Sequence, residues 1–326
     1  MKALVTGGAG FIGSHLVELL LAQGMRVCAI DNLATGRLHN LSQARRNKKF
    51  SFIKVDVSGG RSIGKYFRGV DFVFHLAALA DIVPSVVDPL TYHTANVNGT
   101  IAVLEASRQA RVKKFLYAAS SSCYGLATLL PTPEDAPIAP QYPYALTKWL
   151  GEEYVRHWAH VYKMPFVSLR LFNVYGPRSR TSGAYGAVFG VFLAQKLHGK
   201  PFTVVGDGTQ KRDFIYVSDV AGAFYSAAVA KITNTIFNVG SSAPQSINTL
   251  VRLLQGPFVH IPKRPGEPDC TWADTSRIKK ELGWQAQVSF SEGVRRMLAH
   301  IDYWKTAPVW TPQRIARATG DWFKYL

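Results

Sequence analysis

Short, nearly unbroken apolar runs alternate with amphipathic stretches along most of this chain. Ala3–Val5, Arg26–Ile30, Ser51–Val55, Phe72–Leu76, Lys114–Ala119, Phe166–Phe172 and Thr235–Val239 read as strands, and segments such as Ser14–Ala22 read as the helices between them. Strands that are apolar on both faces belong to parallel sheets covered by helices on each side. The alternation therefore predicts an α/β fold with a doubly wound parallel sheet. Beyond Phe172 the pattern loosens into loops rich in Gly, Pro and Arg, with helices predicted near Val188–His198, Ile247–Leu254 and Glu292–Ile301. This second, smaller region is expected to fold over the mouth of the sheet. Asp56 and Ala77-Ala78 follow strands three and four, at the carboxyl ends where such sheets bind ligands.

The first strand runs directly into Thr6-Gly-Gly-Ala-Gly-Phe-Ile-Gly13 and then into a helix. Gly7, Gly8, Gly10 and Gly13 put hydrogen where a Cβ would block the turn, the approach of phosphate oxygens or helix–strand contact. The amides at the start of the helix then face an anion. The second strand ends in Asp31, placed to meet an adenosine ribose hydroxyl and to repel a 2'-phosphate, so NAD is expected rather than NADP. The predicted organisation is a Rossmann-type NAD-binding domain over residues 1–172, to which 213–240 return, and a C-terminal substrate-binding domain over 173–326.

The chain has 326 residues, 47% hydrophobic and 18% charged, with no low-complexity tract or internal repeat, which describes a globular protein. Residue 5 already lies in a predicted core strand, so no signal peptide is expected, and no apolar stretch is long enough to span a bilayer. Cys28, Cys123 and Cys270 are far apart and in no metal or redox spacing, so a reducing, cytoplasmic setting, no metal and core or near-core thiols are expected. The net charge of +17 implies a positive field that concentrates anionic ligands without naming them. Its densest stretch, Arg45, Arg46, Lys48 and Lys49, reads as a solvated loop; nucleic-acid binding is the rival reading and is not expected.

Tyr144-Ala-Leu-Thr-Lys148 sets a phenol and an ammonium one helical turn apart on one face. A phenol that acts as a base near neutrality needs its pKa shifted down by roughly three units, about 4 kcal/mol. One ammonium about 4 Å away at an effective dielectric near 20 supplies about that much. Upstream lies Ser120-Ser121-Ser122-Cys123-Tyr124-Gly125, just after the fifth strand.

With these motifs the chain resembles the extended short-chain dehydrogenase/reductases, and among them the nucleotide-sugar epimerases and dehydratases. The resemblance also rests on Asp31-Asn32-Leu33, Asp56-Val57, His75-Leu76-Ala77-Ala78, Asn96-Val-Asn-Gly-Thr100, Asn173-Val-Tyr-Gly-Pro-Arg178, Gly206-Asp-Gly208, Arg212-Asp213-Phe214 and Arg264-Pro-Gly-Glu267. It implies a catalytic Ser120, Tyr144 and Lys148, in which Tyr144 takes the sugar 4-hydroxyl proton while hydride leaves C4. It implies that NAD is held by Gly7, Gly10, Phe11, Ile12, Gly13, Asp31, Asn32, Gly36, Asp56, Val57, Leu76, Ala77, Ala78 and Asn96, with Tyr144 and Lys148. For the nucleotide sugar it implies Ser120, Ser121, Ser122, Tyr144, Asn173, Val188, Thr203, Arg212, Arg264, Glu267 and Thr271. A homodimer through Thr91–Arg111 and Tyr144–Tyr162 is implied by the same likeness.

Dehydratases of this family carry Asp-Glu where this chain has Ser121-Ser122, and decarboxylases acting on nucleotide glucuronic acid keep the Glu. A serine hydroxyl does not do a carboxylate's proton work near pH 7, so both eliminations are disfavoured and 4-epimerisation is expected; that the substrate is a UDP-hexose or UDP-N-acetylhexosamine is what the family resemblance implies. The small Thr271 and the segment Gly183–Val188 resemble epimerases of N-acetylated sugars, whereas Arg180 and the serines leave a hexuronate open. A uronate epimerase or decarboxylase, a dehydratase, and a non-catalytic NAD- or RNA-binding protein are the alternatives. The aromatic tail, Trp304, Trp310, Trp322, Phe323 and Tyr325, lies beyond the matched motifs and reads as packing.

Overall fold

Alternate residues of the strands serve two cores, as the apolar runs require. In β1 (Lys2–Thr6), Ala3 and Val5 face one layer of helices while Leu4 faces the other. The computed structural model describes residues 1–179 and 187–326; Arg180 and most of the Gly183–Val188 segment lie outside the described residues. After β1 come α1 (Phe11–Ala22), β2 (Arg26–Asp31), β3 (Phe50–Lys54) and β4 (Phe72–His75). Three helices, α2 (Ile82–Val87), α3 (Pro89–His93) and α4 (Gly99–Gln109), lead to β5 (Lys114–Ser120), α5 (Pro143–Tyr162) and β6 (Phe166–Leu171).

The C-terminal half continues with β7 (Asn173–Tyr175), α6 (Val188–Leu197), β8 (Phe202–Val205), β9 (Lys211–Arg212), β10 (Phe214–Tyr216) and α7 (Val217–Val229). It ends with β11 (Thr235–Val239), β12 (Gln245–Ser246), α8 (Ile247–Leu254), β13 (Phe258–Ile261), α9 (Ser276–Leu282), α10 (Phe290–Ala299), α11 (Pro312–Ala318) and α12 (Gly320–Tyr325). Seven strands form one sheet in the order β11-β6-β5-β4-β1-β2-β3, every pair parallel. The order reverses between β1 and β4, and the crevice at that point is where doubly wound sheets take their ligand.

Leu16, Val17 and Leu20 of α1 and Val220 and Phe224 of α7 cover one face of the sheet; Val103 and Leu104 of α4 and Val155 and Ala159 of α5 cover the other. A third core, around Tyr175, Phe189, Phe192, Phe202, Phe214, Met297 and Trp304, builds the C-terminal lobe. There Tyr175 and Phe189 stack with centroids 4.5 Å apart. β11, contributed by a late segment, returns to the main sheet beside β6, with Thr235 opposite Val167. Cys28 and Cys123 are buried free thiols and Cys270 is half-buried. No described helix is long and apolar enough to cross a membrane.

Candidate active site

The turn after β1 is closed by contacts only glycine permits. Gly7 has φ +69°, and a Cβ there would stand 2.7 Å from the backbone nitrogen of Ala77. A Cβ on Gly13 would strike the Gly7 carbonyl, so α1 packs against the turn that it follows. The N-cap of α1 is Gly10, and no acidic side chain sits in the first turn to oppose an anion. Asp31, at the end of β2, is buried and accepts from the amides of Ala9 at 3.0 Å and Leu33 at 2.7 Å. Burial raises its pKa, against the pull of those backbone bonds. A Cβ on Gly36 would stand 2.8 Å from the same carboxylate. These features fit a dinucleotide: a side-chain-free turn for the diphosphate and an anchored carboxylate for the ribose.

The next wall is the loop after β4. Buried His75 is clamped between the hydroxyls of Thr6 at 2.7 Å and Thr100 at 2.9 Å, and burial lowers it to about 3, so it stays neutral. The Asn96 amide bonds both backbone groups of Leu79, at 2.8 and 2.9 Å, and reaches the Thr147 hydroxyl at 3.0 Å. It thereby ties the Leu76–Ala80 loop to α5, the helix that carries Tyr144 and Lys148.

Tyr144 donates to the Ser120 hydroxyl at 3.4 Å, and Ser120 lies 2.7 Å from the Ser122 hydroxyl. Burial raises the Tyr144 phenol and its bond to Ser120 lowers it. The Lys148 ammonium sits over the Tyr117 ring, 4.4 Å from its centroid; burial lowers it to about 7, with Glu152 acting the other way. In the protein alone, Ser120 and not Lys148 is the group that acts downward on the phenol. Tyr142, whose ring lies parallel to that of Tyr144 at 6.4 Å, stands beside them.

Opposite this set are residues of the C-terminal lobe. The Thr271 hydroxyl donates to the side-chain oxygen of Asn173 at 2.7 Å and accepts from the Asp213 amide at 3.0 Å, which leaves the Asn173 amide nitrogen to donate. Buried Asp213 accepts from Ser241, Ser242 and Ala273 and so pins the Arg212 strand to the Thr271 segment. Arg212 donates to the carbonyl of Pro268 at 2.8 Å, and burial lowers its pKa. Arg264 and Glu267 pair at 3.1 Å. Glu267, expected to read a ribose, therefore also holds an arginine. Thr203 is buried under Gln195, whose amide donates to its hydroxyl at 2.9 Å.

One cavity of about 690 Å³ joins these walls, within the range of small-molecule and cofactor sites. Of the residues expected from sequence, Gly36 and Asn96 do not line it; every other one does. Gly36 backs the Asp31 carboxylate and Asn96 braces the neighbouring loop. Sequence reasoning passed over Asp81, Tyr142, Gln210 and Trp322, which also line the cavity. For Tyr142 the available signal was its place two residues before Tyr144, where the chain enters α5. The basic stretch Arg45–Lys49 is exposed and lies outside the cavity.

Residues 3–240 match the NAD dependent epimerase/dehydratase family. The chain is 37% identical over 305 residues to UDP-glucose 4-epimerase from Mycolicibacterium smegmatis, covering 91% of this chain and 97% of that one. Its fold is similar to that of UDP-glucuronic acid 4-epimerase from Bacillus cereus, solved with UDP-glucuronic acid and NAD: TM-score 0.87, 34% identity, 93% and 99% of the two chains covered. It is equally similar, at TM-score 0.87 and 32% identity over 92% and 98% of the chains, to UDP-N-acetylglucosamine 4-epimerase from Methanobrevibacter ruminantium M1, solved with UDP-N-acetylmuramic acid. With the glycine turn, Asp31 and the Ser120–Tyr144–Lys148 set in one cavity, the chain belongs to the NAD-dependent epimerase/dehydratase family of extended short-chain dehydrogenases/reductases.

Proposed function

We propose that this enzyme inverts C4 of a UDP-linked hexose or N-acetylhexosamine through a transient 4-keto sugar. The observation that carries the proposal is the seating of Tyr144, Ser120 and Lys148 between the glycine turn and the Arg212–Arg264 side of one cavity. NAD, which the glycine turn and Asp31 would hold, would supply the hydride acceptor and donor for C4. Tyr144 removes the 4-hydroxyl proton and gives it back, and Ser120, already within reach of Tyr144, holds the reacting oxygen. Lys148, one turn along α5, adds positive charge that favours the phenolate. Arg212 and Arg264 neutralise the diphosphate, and Asn173 donates to it through the nitrogen that Thr271 leaves unspent.

Ser121 and Ser122 line the cavity beside Ser120 and lack the carboxyl groups that a 4,6-elimination needs. The small Thr271, which lines the cavity, supports a pocket wide enough for an N-acetyl group. The similarity to UDP-sugar 4-epimerases supports the nucleotide, and the relatives differ in the sugar they are named for.

Purified protein incubated with a panel of UDP, dTDP, GDP and CDP sugars and followed by NMR should invert C4 of a UDP-sugar without added NAD. Accumulation of a 4-keto-6-deoxy sugar or release of carbon dioxide would overturn the assignment, and inversion of UDP-glucuronate alone would move it to the hexuronate. Tyr144→Phe should lower turnover by about 10²–10⁴-fold while the unfolding midpoint stays near that of the parent. Near-normal turnover in that variant would exclude Tyr144 as the base.

A further inference from the structure

The aromatic tail is part of the cavity. Trp304 is fully buried in the C-terminal core, and from there the chain runs along one side of the site. At the cofactor end the Tyr303 hydroxyl donates to Asn40 at 3.0 Å, and Asn40 in turn donates to the carbonyl of Ala9 in the glycine turn at 2.9 Å. Ala307, Pro308 and Trp310 also line the cavity. At the far end α12 packs against α2 and brings in Trp322, 2% exposed.

Trp322 touches three groups that matter to the opposite wall. Its indole N–H donates to the carbonyl of Pro265 at 2.7 Å. The Arg264 guanidinium lies 5.2 Å from the ring centroid, in cation–π range. On the other side the Tyr142 ring, parallel to catalytic Tyr144, lies 6.3 Å away. One side chain thus spans from the arginine loop to the residue beside the base.

We infer that Trp322 is a positioning residue of the nucleotide-sugar site: it holds Arg264 toward the diphosphate and closes the cavity between that loop and Tyr142. The inference rests on the proposed reading of the cavity as a UDP-sugar site. The companions of Arg264 include the Glu267 carboxylate at 3.1 Å and the indole face. The carboxylate holds one edge of the guanidinium, and the indole face restrains its plane. A diphosphate approaching Arg264 then meets a donor fork already oriented, which lowers the ordering cost of binding.

The full-length, NAD-loaded protein and its Trp322→Ala, Trp322→Leu and Trp322→Phe variants test this, through UDP affinity by calorimetry and KM and kcat for the sugar that the parent epimerises. Ala and Leu should raise the Kd for UDP and the KM about tenfold while lowering kcat by no more than about threefold. Phe, which restores a ring face, should stay within about threefold of the parent in both. NAD content should be equal in all four proteins. Leu keeps apolar volume and Phe keeps the ring, so the comparison of these two stands even where the Ala variant does not fold. Parent-like KM and UDP affinity in the Leu variant, or equal losses in Leu and Phe, would overturn the inference. A fall in KM would also overturn it, because Trp322 would then be a plug. A parent protein that binds no UDP and epimerises no UDP-sugar would remove the functional proposal and this inference together; a parent that does both, beside an unimpaired Leu variant, would remove this inference alone.

Discussion

Lys148 shows how one residue's setting governs both stability and chemistry. Its ammonium is buried on the inner face of α5, over an aromatic ring, and its pKa falls from the usual 10.5 to about 7. A depressed folded-state pKa means that the unfolded chain binds one more proton than the native protein between about pH 7 and the unfolded value. The penalty of burying this ammonium is therefore full below the folded pKa and is relieved as pH rises toward the unfolded one, so stability rises with pH across that window. In protein stripped of NAD, raising the pH from 7 to 9 should increase the unfolding free energy by about 2 kcal/mol more than in Lys148→Met. Urea titrations at the two pH values measure this, and parallel behaviour of the two proteins would show that Lys148 keeps an ordinary pKa. The same low-dielectric setting gives the charged form its strength beside Tyr144 once the site is filled.

At the scale of elements, α5 is held in place by a buried polar network. Arg170 of β6 pairs with Glu152 of α5 at 2.5 Å and bonds the hydroxyl of Tyr124 at 2.9 Å and the carbonyl of Glu134 at 2.8 Å. Tyr124 passes the network to Asn238 of β11 at 2.7 Å, and Glu152 also accepts from Ser168. Glu152 lies one turn beyond Lys148, so the network fixes the helix that presents Tyr144 and Lys148 to the cavity. Glu152→Ala leaves the Arg170 charge buried without its partner and should cost about 3–5 kcal/mol of unfolding free energy. Glu152→Leu with Arg170→Met should cost less than the single change, and a loss below about 1 kcal/mol in Glu152→Ala would refute the coupling. Much of this architecture is legible in the chain, because strands covered on both faces are nearly unbroken apolar runs: Thr235–Val239 has the bounds its sequence predicts, and so does the helix Ile247–Leu254, whose buried Ile247, Leu250, Val251 and Leu254 recur at helical spacing. Helix α1 begins at Phe11 rather than Ser14 because Gly10 serves as its cap, which no side chain announces. The bracing role of Asn96 was illegible for a related reason. Its partners are backbone groups of Leu79 and a threonine on another helix, brought near only by the finished sheet.

Across the whole molecule, α5 divides its labour between two faces. Tyr144, Lys148, Gly151, Glu152, Val155 and Ala159 follow helical spacing along the face turned toward the sheet and the cavity. Leu146, Leu150, His157 and Val161 follow the same spacing along the opposite face, with Leu146 42% and Val161 47% exposed. Leu146, Leu150 and Val161 make a discontinuous apolar stripe on that outer face, interrupted by exposed His157 and by Glu153, which pairs with Arg156. Because the stripe lies on a helix that the family resemblance marks as a subunit contact, we propose that a second copy of this chain covers it. A twofold pairing would set two such stripes against each other, since an isologous interface joins one patch to itself. Sedimentation equilibrium at micromolar concentration should then return twice the mass of one chain. Leu146→Asp combined with Val161→Asp, which puts charge in the seam but leaves the inner face untouched, should return a single mass and keep NAD bound. A parent protein of single mass would leave the stripe without this partner, whereas an undiminished dimer in the double variant would place the contact elsewhere.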